Sequence, residues 1–324
     1  TEKGADACLL TAEDDIAWLL NLRGSDIPYC PTFAAFFLMD DGAGTLYVSA
    51  GHLTEEVRDY LENLKVRIVT EVPLIYEDLK KIRSRCILID DAVTPQAMKM
   101  SIPEKTEILF SATPVSLRKN RKNETECENL RSAQLKDSVA VTRFMYRFKK
   151  EMASGRLTEC GTADLLHELR AGQDGFLGES FETISAYGEN AAMCHYSPSP
   201  ERDVPILPRG LYLVDSGGHY PEGSTDITRT WACGPVTEEE RKAYTLVACA
   251  NLRLASAVFP QGTSGLTLDY AARELFWRNG LDFKHGTGHG VGSCLNVHEG
   301  PHSIRMEENP MTLSAGMTVT DEPG

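Results

Sequence analysis

Along the first third of the chain, short apolar runs alternate with segments whose apolar positions recur at helical spacing. Residues 7–10, 32–39, 45–49, 66–69 and 86–89 carry apolar side chains over strand length. Between them, residues 14–21, 54–64 and 75–84 place apolar positions three and four apart, as an amphipathic helix does. Thr54 opens the second of these as a Thr-x-x-Val start, and Glu55 and Glu56 suit the positive end of the helix dipole. Strands interleaved with helices of this length predict an α/β layer fold.

The pattern changes at Arg118-Lys119-Asn120-Arg121-Lys122-Asn123. A basic run this short, in a chain this acidic, reads as a solvated linker or helix end rather than a nucleic-acid patch. A boundary here divides the chain into residues 1–122 and 123–324. Beyond it, residues 124–154 predict one long helix with Leu130, Ala133, Val141, Phe144, Met145 and Phe148 on its apolar side. Further helices are expected at 162–171, 238–258 and 268–278, and strands at 181–186, 210–215, 226–231 and 317–321. A helix pair followed by strands, occurring twice, predicts an α+β domain with helices packed over one sheet and hints at internal pseudo-symmetry.

Composition narrows the classes. The 324 residues contain 47 acidic and 33 basic side chains, a formal charge of -14 that disfavours broad binding to nucleic acid or anionic membrane. No apolar run approaches the ~20 residues of a membrane span. The nine cysteines are scattered without a Cys-x-x-Cys pair, which argues against a disulfide framework and for a reducing, cytoplasmic location.

Candidate chemistry begins at Leu213-Val214-Asp215-Ser216-Gly217-Gly218 and Ser224-Thr225-Asp226. If the hairpin turn centres near Tyr220 and Pro221, Asp215 and Asp226 face each other with Cβ atoms ~5 Å apart. Two carboxylates so close repel unless they share a proton or bind a cation. Either acid alone is an ordinary turn residue; the pair at matched parity points to metal.

In Lys284-His285-Gly286-Thr287-Gly288-His289-Gly290-Val291-Gly292, the glycines make a helix improbable. In extended backbone His285 and His289 still share a face. His298 and Glu299 follow, and His302 reads as a surface loop residue. Near the end, Met317-Thr318-Val319-Thr320-Asp321-Glu322-Pro323-Gly324 alternates, so only one of Asp321 and Glu322 can point into a shared site. Oxygen donors with one or two imidazoles suit Mn, Co, Zn or Fe better than a closed structural zinc site.

In this order the motifs resemble the pita-bread metallopeptidase family, in its aminopeptidase P branch. The segment Ile16-Ala17-Trp18-Leu19-Leu20-Asn21-Leu22-Arg23-Gly24-Ser25-Asp26 resembles the opening of the middle domain of three-domain members. The segments 285–301 and 319–324 resemble the family's metal-histidine segment and its Glu-Pro-Gly turn. The resemblance implies an α/β creatinase-like middle domain (1–122) followed by an α+β pita-bread catalytic domain (123–324), truncated at its C-terminus. It implies two divalent metal ions, Mn first with Zn or Co as alternatives, held by Asp215, Asp226, His289 and Glu322.

It further implies that His195 lines the substrate site, that His298 contacts the reacting peptide group, and that His285 helps form a proline pocket. His195 and His298 are then the candidates for handling protons. The implied activity is hydrolysis of the N-terminal Xaa-Pro bond by a hydroxide held between the metals, on peptides with proline second, in a homodimer. The family's fifth ligand follows the Glu-Pro-Gly turn, so the chain is expected to be a fragment that binds metal weakly or not at all. A prolidase-like dipeptidase and a metal-free pita-bread scaffold are the alternatives.

Overall fold

The computed structural model describes residues 4–324. The chain divides into two compact units, the first ending at Lys119 and the second running Asn120–Gly324.

The first unit is built on a six-stranded sheet of order β4-β3-β2-β1-β5-β6. Its strands are β1 (Ala7–Leu10), β2 (Ala35–Asp40), β3 (Ala43–Val48), β4 (Arg67–Val69), β5 (Cys86–Ile89) and β6 (Glu107–Phe110). Helices α1 (Glu13–Leu20), α2 (Glu55–Asn63), α3 (Leu74–Lys80), α4 (Gln96–Lys99) and α5 (Pro114–Lys119) connect them. β1 lies antiparallel to β2 and parallel to β5, and all of its residues are buried, as its unbroken Ala-Cys-Leu-Leu run requires. Leu9, Leu38, Ile75, Leu79, Ile87 and Ile89 share one core. Thr54 caps α2 by accepting from the Val57 amide at 3.2 Å. The short elements α4, β6 and α5 were not expected: the two helices are too brief to show a period, and β6 is an edge strand only partly buried.

The basic segment is only half solvated: Arg118, Arg121 and Asn123 are exposed. Lys119, Asn120 and Lys122 are buried. Lys119 reaches Asp14 and, at 3.0 Å, Asp15, while Lys122 pairs with Glu299 inside the second unit. Sequence charge alone does not reveal that an acid waits for each cation.

The second unit opens with the long helix α6 (Glu124–Glu151), capped at Asn123 by a capping box with Glu126, and α7 (Glu159–Ala171) packs on it. Val141, Phe144 and Phe148 of α6 join Leu165 and Leu166 of α7 over Tyr212, Val214, Ile227 and Trp231. The last four project from β9 (Leu211–Ser216) and β12 (Ile227–Ala232), which with β8 (Ile184–Tyr187) make an antiparallel sheet. Helices α8 (Glu238–Ala255) and α9 (Gly265–Arg278) form the second pair, around Ala250, Leu254, Leu268, Ala272 and Phe276.

The strands of this unit fall into three small sheets rather than the expected one. The second joins β7 (Gly178–Glu179), β10 (Gly218–Tyr220) and β11 (Gly223–Ser224), and the third pairs β13 (Gly288–Gly290) with β14 (Glu299–Ile304). β9 and β10 are one run broken at Gly217, where Thr225 O and Ser180 Oγ crowd the place a Cβ would take. The expected strand at 317–321 is absent. Met317 makes a single bridge to Arg121, and the residues after it run beside β13, where the Thr320 and Glu322 amides donate to His289 O and Thr287 O.

Candidate metal centre

The hairpin register differs from the expected one. Asp215 pairs across the ladder with Thr228, not Asp226, and Tyr220 pairs with Gly223. The turn is therefore one residue later than expected, which moves every partner by two positions. An even shift preserves the face, so Asp215 and Asp226 remain on one side as diagonal neighbours.

Thr228 Oγ1 donates to Asp215 Oδ1 at 2.7 Å. Burial, followed by the charge of Asp226, pushes the Asp215 pKa up to about 7, and Glu322 adds to the shift. Glu322 reaches the same place because its amide donates to Thr287 O at 2.9 Å and the Thr320 amide to His289 O at 2.8 Å. Gly288 allows that approach: the carbonyl of Thr320 lies against the space a Cβ would fill.

His289, on β13, completes the cluster. Its Nδ1 lies 2.8 Å from Gly290 O, which can only accept, so Nδ1 carries a proton and Nε2 faces the acids. Nε2 stands 3.1 Å from Glu322 Oε1 and 3.4 Å from Asp226 Oδ2. It is buried and aligned with neither, leaving it without a well-formed hydrogen bond. Burial alone would lower the His289 pKa; contact with Asp226 and Glu322 outweighs it and lifts the value to about 10. Burial raises and His289 lowers the Glu322 pKa, and lowering prevails.

Among the described residues, no group of three or more His, Cys, Asp or Glu side chains stands in ready metal-coordinating geometry. The donor set nonetheless fits cations. Asp226 and Glu322 flank an imidazole whose own proton is the compensating charge, and Asp215, within reach of both acids' charge, is driven towards protonation. A cluster of acids in that state is short of positive charge.

The other predicted residues surround this cluster. The His298 ring packs edge-on to His289 with centroids 4.4 Å apart, while part of its surface stays exposed. Burial of its inner side lowers its pKa, as do His289 and, more weakly, His195. His195 is exposed on the 188–197 loop, at a left-handed φ of 60°. His285 packs on Phe283 and brings Nε2 to 3.1 Å from Gly324 O. A cavity of about 340 Å³ opens beside His289 and His298, bounded by Pro301, His302, Ser303 and Arg305. His302 is not a surface residue: it is buried on β14, with Nε2 2.8 Å from Thr318 O.

Several supporting residues escape a sequence reading. Glu159, fully buried on α7, accepts from Tyr196 Oη at 2.6 Å and from Asn190 Nδ2 at 3.0 Å, holding the His195 loop. Arg273 pairs with Asp269 at 2.6 Å and donates to Phe283 O at 2.5 Å, supporting the segment that leads to His285. Asp137 and Arg170 lie behind Asp215 and Asp226, and Asp137 had a signal. It falls four residues before Val141 and seven before Phe144, a charged residue on an apolar stripe.

A two-unit α/β protein whose second unit sets Asp215, Asp226 and Glu322 close to one another, two of them against the His289 imidazole, is built like a metallohydrolase. The chain belongs to metallopeptidase family M24, whose profile matches residues 128–324, and residues 1–126 match the creatinase/prolidase N-terminal domain. A probable Xaa-Pro aminopeptidase P of Sclerotinia sclerotiorum is 40% identical over 336 residues, covering 100% of this chain and 56% of that protein. Aminopeptidase P1 of Arabidopsis thaliana is 37% identical, over 100% of this chain and 58% of its own length. The crystal structure of an X-prolyl aminopeptidase from Caenorhabditis elegans, described as a cytosolic enzyme with a di-nuclear active site, superposes with a TM-score of 0.95. It is 34% identical, over 99% of this chain and 54% of that one. An Xaa-Pro dipeptidase from Bacillus anthracis shares the fold at a TM-score of 0.78 and 23% identity, over 99% of this chain and 86% of that one. The chain spans about half the length of the curated relatives it matches.

Proposed function

We propose that this protein is a metal-dependent aminopeptidase that hydrolyses the N-terminal Xaa-Pro bond of peptides. Residues 123–324 form its catalytic domain and residues 1–122 an accompanying creatinase-like domain. The observation that carries the reading is the convergence of Asp215, Asp226, His289 and Glu322 on one cation-deficient cluster. Those residues would hold two divalent cations, manganese first and zinc or cobalt as alternatives. Bound there, such ions supply Lewis acidity and an activated water.

The remaining roles belong to the histidines. A bond to proline nitrogen lacks an N–H, so it offers no hydrogen for a protease to grip. The prolyl nitrogen must gain a proton to leave; His298, packed against His289, and His195, whose charge reaches His298, would hold or pass it. The lowered pKa of His298 keeps it neutral near pH 7, able to donate one N–H while its other nitrogen accepts. His285, on the Phe283 ring, forms an apolar-backed wall suited to a proline ring. A cytoplasmic location and a homodimer complete the proposal. The cytosolic relative and the free cysteines support the location; no helix among the described residues is long and apolar enough to cross a membrane.

Calorimetric titration of the metal-free intact protein with Mn²⁺, paired with kinetics on X-Pro dipeptides and longer X-Pro peptides, tests this reading. Metal uptake with a preference for longer peptides is expected. Preference for dipeptides would make it a prolidase, and absence of uptake would remove the metallopeptidase reading.

A further inference from the structure

Each aspartate of the cluster sits beside a residue whose side chain reaches the same buried ion pair. Asp137 of α6 and Arg170 of α7 are fully buried and joined twice, Nε to Oδ1 at 2.5 Å and Nη2 to Oδ2 at 3.0 Å. Arg170 Nη2 also donates to Ser216 Oγ at 3.0 Å, one residue after Asp215. Asp137 Oδ2 also accepts from Thr225 Oγ1 at 2.7 Å, one residue before Asp226. Thr225 in turn accepts from the Gly218 amide at 2.8 Å, and its carbonyl accepts from Ser180 Oγ at 2.7 Å.

The alternation of extended backbone explains the arrangement. Successive side chains point to opposite faces, so Ser216 and Thr225 hang behind the backbone while Asp215 and Asp226 project in front. Filling that space with apolar side chains would avoid the cost of desolvating two charges. A guanidinium–carboxylate fork offers what apolar packing does not, a planar link of fixed length with donors and acceptors left over. Here the leftover positions hold two separated stretches of chain at one spacing.

We propose that the buried Asp137–Arg170 pair is a positioning element that sets the separation of Asp215 and Asp226, acting through Ser216 and Thr225. The inference rests on the reading of those aspartates as metal ligands, and it assigns a function to residues that touch neither metal nor substrate. Groups that orient a metal ligand from behind typically change metal affinity 10–100-fold when removed.

The test uses the intact protein and variants that leave the ion pair itself in place. Ser216→Ala and Thr225→Val each cut one link, and Thr225→Ser keeps the hydroxyl as a conservative control. Mn²⁺ affinity is read by calorimetry on metal-free protein, alongside the thermal midpoint of the same sample. Weakening by about 10–100-fold in Ser216→Ala and Thr225→Val, with wild-type affinity in Thr225→Ser, is the expected result. Wild-type affinity in Ser216→Ala and Thr225→Val, with only their thermal midpoints lowered, would overturn the proposal while leaving the metal reading intact. A wild-type protein that takes up no Mn²⁺ would overturn both. Arg170→Lys, which keeps the charge without the fork, is expected to behave like Thr225→Val; should it not fold, the two single-link variants still decide.

Discussion

Thr228 lies directly across the ladder from Asp215 and donates a 2.7 Å hydrogen bond to its Oδ1. It is the largest influence opposing the rise of the Asp215 pKa, which burial and Asp226 push to about 7. Removing the hydroxyl takes away support for the charged form alone.

Thr228→Val should therefore raise the Asp215 pKa further. Metal binding requires the deprotonated acid, so the pH at which Mn²⁺ uptake is half complete should move upward. Affinity at pH 7 should fall by about tenfold. Titrations across a pH series check both, and an unmoved midpoint would show that Thr228 has no part in setting the charge of Asp215.

The metal-free protein should lose stability as pH rises. Asp215 has a folded pKa near 7 against an ordinary 3.8, so its favourable contribution is complete below 3.8 and is lost as pH rises through about 7. His289 is raised from 6.5 to about 10, so its contribution is complete below 6.5 and is lost through about 10. Glu322, lowered, acts oppositely and only on the acid side, below its ordinary 4.5. Between pH 5 and pH 9 the first two act in succession, Asp215 up to about 7 and His289 above 6.5, a change on the order of a few kcal/mol. Thermal unfolding at these pH values should give a falling midpoint without metal and a flatter one with saturating Mn²⁺. A midpoint that climbs with pH in the metal-free protein would contradict the charge arrangement described.

Lys122 and Glu299, the residue after His298, form an ion pair with side chains 1% and 0% exposed. Lys122→Met leaves the acid buried and should cost about 3–5 kcal/mol, the usual penalty for breaking a buried pair. Lys122→Met combined with Glu299→Gln removes the stranded charge and should recover much of that loss. Chemical denaturation of the single and double variants gives the coupling directly. Additive losses would mean that the two groups do not depend on each other.

What could be read from the sequence depended on period and parity. The long apolar stripe of α6 and the buried run of β1 are visible because their spacing is regular. Asp215 and Asp226 were placed on one face although the register was off by two, since an even error leaves the face unchanged. Strand 317–321 failed because alternation records where side chains point, not whether a neighbour completes the ladder. The burial of Lys122 and His302 was missed for a related reason. Their partners, Glu299 and the Thr318 carbonyl, are 177 and 16 residues away, and nothing local announces them. Asp137 was legible in principle, as an acid interrupting an apolar stripe, but its partner Arg170 reads as an ordinary basic residue in the last turn of a helix.

The loop that carries His195 offers a last prediction, separable from the metal. Glu159 is buried and accepts from the Tyr187 amide at 2.5 Å, Asn190 Nδ2 at 3.0 Å and Tyr196 Oη at 2.6 Å. Tyr196 is next in sequence to His195, whose left-handed φ of 60° is uncommon for a residue with a side chain and must be held by its surroundings. Tyr196→Phe removes one of these bonds but leaves the others, so the fold should persist while the loop loosens at His195. If His195 handles the proton or the substrate, kcat/KM on an X-Pro peptide should fall about tenfold, equivalent to about 1.4 kcal/mol of lost transition-state stabilisation. Mn²⁺ affinity should stay at the wild-type value, because no metal-cluster residue lies on this loop. The same loss in His195→Ala and in the double variant would place both residues on one path; strictly multiplicative losses would separate Tyr196 from the work of His195.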